Sequence, residues 1–249
     1  MHWKSSAKEE HRVMDSKKFL VRVHCITYNH APYIVETLDG FTMQGTDFPF
    51  VCTIIDDAST DSEGEVIKKY LRENFDLSDE SVVVNEETDD YVLTFAQHKI
   101  NRSCFFAILL LKYNHHSIGR DRAKSGYIKR WDDTEYIAFC EGDDYWTDPL
   151  QKQVDFLVNH PNYAMCFHPV NKVVDGEIAG NDVHSASETD FSTEQIIVYG
   201  GCFCATLSLM VRGDVAREFP SFRQMADVGD YPLQVWAAHK GKVHYMHQI

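Results

Sequence analysis

Tyr136-Ile137-Ala138-Phe139-Cys140 is an apolar run with the β-branched and aromatic make-up of a buried strand, and it stops abruptly on Glu141-Gly142-Asp143-Asp144. The same grammar occurs twice earlier in the chain. Leu20 to Thr27 stops on Tyr28-Asn29-His30-Ala31-Pro32, and Phe50 to Ile55 stops on Asp56-Asp57-Ala58-Ser59-Thr60-Asp61. Residues at helical spacing follow both of these turns: Ile34, Leu38 and Phe41 after the first, Val66, Ile67, Tyr70 and Leu71 after the second. A chain that alternates buried strand, polar turn and helix has few solutions. Parallel pairing with right-handed crossovers satisfies it, giving an α/β fold whose mainly parallel central sheet has helices on both faces. Ligands of such sheets bind beyond the C-terminal ends of the strands, where all three polar turns lie.

Elsewhere the pattern is less regular. Phe105 to Leu111 reads as a further buried strand and Val82 to Val84 as a short one, whereas residues 85–104 show no strong period and read as an inserted excursion. A helix is expected up to Trp131, and another after Asp148, with Pro149 in its first position and Leu150, Val154, Leu157 and Val158 as its apolar stripe. Ala164 to Phe167 and Thr206 to Val211 read as later strands forming a small antiparallel edge sheet. Gly229 opens a last helix through Ala238, and Lys242 to Met246 is a final strand. Residues 175–193 are polar and turn-rich, the segment expected to be most mobile. Residues 1–18 read as a polar tail, and 19–249 as one domain with a division near residue 148.

Composition narrows the function. With 249 residues, 44% of them hydrophobic, the chain can bury a full core. A net charge of -14 argues against a nucleic-acid partner, because phosphate binding needs clustered Lys and Arg. A phosphate ligand would then require a metal. No apolar run approaches the roughly 18 residues of a membrane span, which predicts a cytoplasmic protein, at most peripheral to a membrane. The seven cysteines fall mostly in strand-like runs and read as buried, reduced thiols; Cys202-Phe203-Cys204 has no second pair to complete a zinc site. There is neither a G-x-G-x-x-G after the first strand nor a G-x-x-x-x-G-K-[ST].

Three carboxylates as close as Glu141, Asp143 and Asp144 repel one another unless a proton or a cation neutralises them. Their hard oxygens suit Mg²⁺ or Mn²⁺, and Gly142 lets the backbone turn tightly enough for them to converge. Asp56 and Asp57 can accept hydrogen bonds from a nucleobase and ribose, or cap the following helix together with Ser59 and Asp61. Tyr28 offers an aromatic face and Asn29 an amide. Arg120 and Lys124 are the nearest candidate cations.

Taken together, three segments resemble the inverting glycosyltransferase family 2, with its Rossmann-like GT-A fold. Val23 to Asn29 with Ile54 to Asp61 is similar to the family's opening strand and DDxSxD turn. Tyr136 to Pro149 is similar to its DXD metal motif in the variant EGDDYWxDP, and Gly229-Asp230-Tyr231-Pro232-Leu233 to its late acidic motif. The resemblance implies a nucleotide-sugar donor, UDP-linked, held by Thr27, Tyr28, Asn29, Asp56, Asp57, Ser59, Arg120 and Asp143. It implies Mn²⁺ or Mg²⁺ on Glu141, Asp143 and Asp144. Asp230 is implied as catalytic base with Asp227 as its alternate, Trp146 as a wall of the sugar or acceptor site, and a glycan or lipid-linked saccharide as acceptor. The halves 19–148 and 149–249 would then bind donor and acceptor respectively. A nucleotidyltransferase, or a non-catalytic metal-dependent nucleotide or sugar binder, fits the same acids.

Overall fold

The structure, a computed structural model, describes residues 19–78, 83–182, 189–201, 203–220 and 229–247. They form two compact units. One runs to Thr134 and takes in Cys140–Thr147; the other comprises Glu135–Phe139 and the chain from Asp148 onward.

In the first unit the elements are β1 (Val21–Thr27), α1 (Ile34–Thr42), β2 (Phe50–Asp56), α2 (Glu63–Asn74), β3 (Val84–Glu87), β4 (Tyr91–Gln97), β5 (Cys104–Leu111) and α3 (Asp121–Tyr127), the last followed by a 3₁₀ turn at Lys129–Trp131. Their sheet runs β1-β2-β5-β4-β3. β1, β2 and β5 are parallel, while β4 and β3 are antiparallel additions. Every residue of β2 is buried, which is why it reads as an unbroken apolar run rather than an alternating one. Phe19, Phe95, Phe105 and Trp131 pack one face. On Phe106 converge Phe75 at 4.5 Å and Phe41 at 6.3 Å between ring centroids. Each such side chain buried contributes on the order of 2 kcal/mol.

The expected excursion at 85–104 is instead largely a hairpin. Thr88 builds its turn, with the hydroxyl oxygen accepting from the Asp90 and Tyr91 amides. β4 is apolar at nearly every position, which hides the period of two on which strand recognition depends, although Tyr91, Leu93 and Phe95 all point into the core.

The second unit contains β6 (Tyr136–Phe139), α4 (Leu150–Asn159), β7 (Tyr163–Phe167), β8 (Val170–Val174), β9 (Glu177–Asp182), β10 (Asp190–Phe191), α5 (Thr193–Tyr199), a 3₁₀ turn (Thr206–Ser208), β11 (Met210–Arg212), α6 (Gly213–Arg217), α7 (Asp230–Lys240) and β12 (Lys242–Tyr245). Its strand order is β10-β12-β7-β11-β6, with β12 parallel to β7 and β11 antiparallel to both neighbours. Arg212 donates from Nε to the Tyr163 carbonyl and from Nη2 to the Leu157 carbonyl, both at 2.6 Å, placing a cation at the C-terminal end of α4. The expected strand at Thr206 to Val211 is split, because Ser208 bonds back to Ala205 through both backbone and hydroxyl. β8 and β9 form a separate two-stranded hairpin around Asp175 and Gly176, at φ of 52° and 80°. Most of the described residues of the polar stretch 175–193 are therefore in regular structure, and 183–188 lie outside the described residues.

Cys25, Cys52, Cys104, Cys140, Cys166 and Cys204 are buried free thiols, as expected. Among the described residues, no helix is long and apolar enough to cross a membrane. The tail at 1–18 and Asp227 lie outside the described residues.

Candidate active site

β1 and β2 pair in register to their last residues, Thr27 opposite Asp56, so their two polar turns leave the sheet side by side. The acid loop is fastened to the same edge. Gly142 donates its amide to the Ile26 carbonyl at 3.2 Å, and Cys140 to that of His24 at 3.2 Å. α1 and the residues just after it hold the loop from the other side: the Thr37 hydroxyl lies 3.0 Å from the Gly142 carbonyl and 2.7 Å from that of Asp144, and the Gln44 amide donates to the Thr147 carbonyl at 2.7 Å. Gly40, in α1, lets the helix approach so closely that a Cβ would lie 2.8 Å from the Trp146 amide nitrogen.

Carboxylate oxygens of Glu141, Asp143 and Asp144 lie within 4.8 Å of one another. Burial, and then the charge of Asp143, raise the Asp144 carboxyl above the usual range. Three hard oxygens, two of them on exposed residues, fit a hexacoordinate divalent cation that keeps positions for water or phosphate.

Asp56 accepts the amide and hydroxyl of Ser59 on Oδ1, at 2.9 and 2.5 Å, which leaves Oδ2 without a hydrogen-bond partner among the described residues. Burial raises its pKa despite these bonds. Asp57 differs. It accepts the His115 and His116 amides at 2.7 and 3.1 Å and the Lys124 ammonium at 2.7 Å, all buried or partly so. Asp57 thus anchors the segment between β5 and α3, and Lys124, with 5% exposure and a second bond to Asp121, is engaged within the protein rather than turned to a ligand. The Asn29 side chain accepts from the Thr60 amide at 2.8 Å and stands at φ 60°, tying the two turns together. Tyr28 is exposed, its ring available to a planar ligand.

Arg120 donates to the Tyr113 hydroxyl at 2.6 Å and lies 3.6 Å from Asp90. The Tyr113 and Tyr127 hydroxyls both bond Asp90, and these bonds hold its carboxyl below the usual range. Trp146, expected as a site wall, is 4% exposed and sits edge-on to Phe41 at 5.3 Å; its indole fills the core beneath the acid loop. The exposed aromatic there is its neighbour Tyr145.

Glu63 was not apparent from sequence. As the first residue of α2 it reads as a solvated acid favouring the helix dipole. It is wholly buried instead, accepting from the Thr27 hydroxyl and from the His30 amide at 2.9 Å, with the Ser59 hydroxyl oxygen 2.8 Å away. Glu63→Ala is expected to cost about 2 kcal/mol, since the buried Thr27 hydroxyl and the partly buried His30 amide lose their acceptor together. Urea unfolding would measure it, and a loss below about 0.5 kcal/mol would mean that the network is dispensable.

In the second unit Asp230 is the first residue of α7 and partly buried. Oδ2 accepts from the Thr206 hydroxyl at 3.1 Å and Oδ1 from the Tyr231 amide at 2.8 Å. The turn carrying Thr206 is itself held by Gln234, donating to the Cys204 carbonyl at 3.0 Å, and Gln153, donating to that of Ser208 at 2.8 Å.

The sequence profile of Glycosyl transferase family 2 matches residues 23–88, which span β1 through the β3–β4 turn. An uncharacterized protein of Mycobacterium tuberculosis, Rv1520, is 37% identical over 150 residues, 59% of this chain and 34% of that protein. A protein of Mycobacterium bovis matches equally well. The chain thus spans about a third of the length of these relatives. Among solved structures, S. aureus TarS in complex with UDP superimposes with a TM-score of 0.59 at 19% identity, covering 94% of this chain and 59% of that one. A mannosyltransferase from Pyrobaculum calidifontis in complex with GDP-Man and Mn²⁺ gives a TM-score of 0.56 at 15% identity, covering 98% and 62%. At these identities the likeness establishes the fold.

Proposed function

Because the chain belongs to glycosyltransferase family 2, we propose that it transfers a hexose from a nucleotide diphosphate donor, UDP-linked, to a hydroxyl of a glycan or lipid-linked saccharide, inverting the anomeric centre. The convergence of Glu141, Asp143 and Asp144 at the strand ends carries this reading. Complexes of the structural neighbours with UDP and with GDP-Man and Mn²⁺ support the ligand class.

Each residue then has a chemical task. Tyr28 packs on the base, and Asp56, through Oδ2, accepts from base or ribose. Arg120 faces the diphosphate as a cation whose position Tyr113 and Asp90 set. Asp57, Asn29, Ser59 and Thr27 hold the turns in shape. Glu141, Asp143 and Asp144 would hold Mn²⁺ or Mg²⁺, which when bound offsets the negative charge that builds on the departing diphosphate. Asp230 takes the proton of the acceptor hydroxyl as that oxygen attacks the anomeric carbon opposite the leaving group, the bond to the nucleotide diphosphate breaking as the new glycosidic bond forms. Location in the cytoplasm, at a membrane face where the acceptor is lipid-linked, suits such a donor.

Thermal unfolding with UDP, GDP, dTDP, CMP or ATP, each with and without Mn²⁺, tests the donor. UDP at a hundredfold excess over its Kd is expected to stabilise by about 2.7 kcal/mol, raising Tm by about 5–10 °C, and only when Mn²⁺ is present. A shift confined to GDP would replace the uridine assignment, and no shift with any nucleotide would reject the reading.

A further inference from the structure

Thr27 has one hydroxyl proton, and it is directed to Glu63 in the protein interior. Toward His30 the same oxygen can only accept, so across their 3.2 Å contact the imidazole carries its hydrogen on Nδ1. The backbone amide of His30 donates to the other Glu63 oxygen at 2.9 Å, so the residue is fixed at its ring and at its main chain. Nε2 is then the ring nitrogen turned away from the Thr27 contact. It lies 3.8 Å from Asp143 Oδ2, and the two side chains are 28% and 49% exposed, open to a ligand from solvent. A carboxylate oxygen and an imidazole nitrogen at this separation are close enough to share one cation. A single divalent ion bonds each at about 2.1 Å, which spans the gap.

We propose that His30 is a nitrogen ligand to the cation held by Glu141, Asp143 and Asp144, and that it makes the site prefer ions with affinity for imidazole, Mn²⁺ and above all Co²⁺, over Mg²⁺ and Ca²⁺. The proposal rests on reading the acid cluster as the cation site and adds a ligand from a different strand end. It also explains why buried Glu63 is placed to orient a ring so near the surface: a ligating histidine is ordinarily held by a hydrogen bond to its other nitrogen.

Electron paramagnetic resonance of Mn²⁺ added to the protein, alone and with UDP, tests it without any assay of turnover. Pulsed spectra of the wild type are expected to show hyperfine coupling to an imidazole nitrogen. His30→Asn, which keeps a polar atom for Thr27 and the backbone bond to Glu63 but has nothing at the Nε2 position, should lose that coupling. It should bind Mn²⁺ about tenfold or more weakly and discriminate less between Co²⁺ and Mg²⁺. His30→Gln, whose amide oxygen reaches the Nε2 position, should recover part of the Mn²⁺ affinity but not the preference for Co²⁺. Bound Mn²⁺ without nitrogen coupling in the wild type would overturn the role of His30 and leave the acid cluster standing as a cation site. No Mn²⁺ binding by the wild type, with or without UDP, would overturn both.

Discussion

Asp230→Asn is expected to keep the fold and the Mn²⁺-dependent response to nucleotide while lowering turnover by about 10²- to 10⁴-fold, the usual contribution of a positioned general base. The substitution is nearly isosteric. The amide oxygen can still accept from the Tyr231 amide, and the amide nitrogen in the place of Oδ2 can donate to the Thr206 hydroxyl oxygen, so both contacts persist, the second reversed, and α7 should start where it does now. What the amide cannot do is take a proton from an attacking hydroxyl. Sugar transfer and donor binding measured on the same preparation separate the two roles: an unimpaired rate would reduce Asp230 to a residue of the helix start. Thr206→Val is a useful companion, because it removes the donor to Oδ2 and leaves the carboxylate.

Gly142→Ala is expected to be the most damaging change of a single methyl in the donor region. A Cβ there would lie 1.9 Å from the Thr27 hydroxyl oxygen, 2.4 Å from its Cβ and 3.1 Å from His30 Nδ1. These are not the far ends of flexible chains. Thr27 is 1% exposed and hydrogen-bonded to Glu63, so the acid loop must lift away, losing the bond from the Gly142 amide to Ile26 and disturbing both carbonyls that Thr37 holds. Overpacking of this kind costs about 1–3 kcal/mol, and displacement of Asp143 should abolish the Mn²⁺-dependent thermal shift outright. Asp143→Ala should abolish that shift as well, but with little loss of stability, since its carboxylate is exposed. If Gly142→Ala retained the full metal-dependent shift, the loop would not be held as the contacts imply.

Much of this was legible in the chain because the signals are local. β2 and β5 announce themselves as apolar runs, since a strand covered on both faces has no polar side to show, and β1 by the alternation of Val21, Val23 and Cys25 with Arg22 and His24. The turns after β1 and β2 and the acid loop declare themselves by composition. β4 escaped because inward Tyr91, Leu93 and Phe95 alternate with Val92 and Ala96, themselves apolar, most of β3 because Val84 is its one apolar residue, and β8 with β9 because a short exposed hairpin carries too little hydrophobic contrast.

Side-chain roles divide along the same line. That acids gather at strand ends follows from the order of residues, and so does the kind of ion they suit, because charge and hardness belong to the residue type. Which acid faces solvent and which is spent inside the protein does not. Asp56 and Asp57 are adjacent and chemically identical, yet one keeps a free oxygen while the other is surrounded by two amides and an ammonium from a segment nearly sixty residues away. Trp146 looked like a binding surface and became core because Gly40 lets α1 press against its backbone. Glu63 looked like surface and became the buried acceptor that orients Thr27 and His30. The sequence determined the α/β pattern and the chemistry gathered at the strand ends, since both depend on near neighbours. Only the tertiary structure decided which polar groups remain free for a ligand, because a hydrogen bond is satisfied by whichever partner folding brings within 3 Å, however distant in the chain.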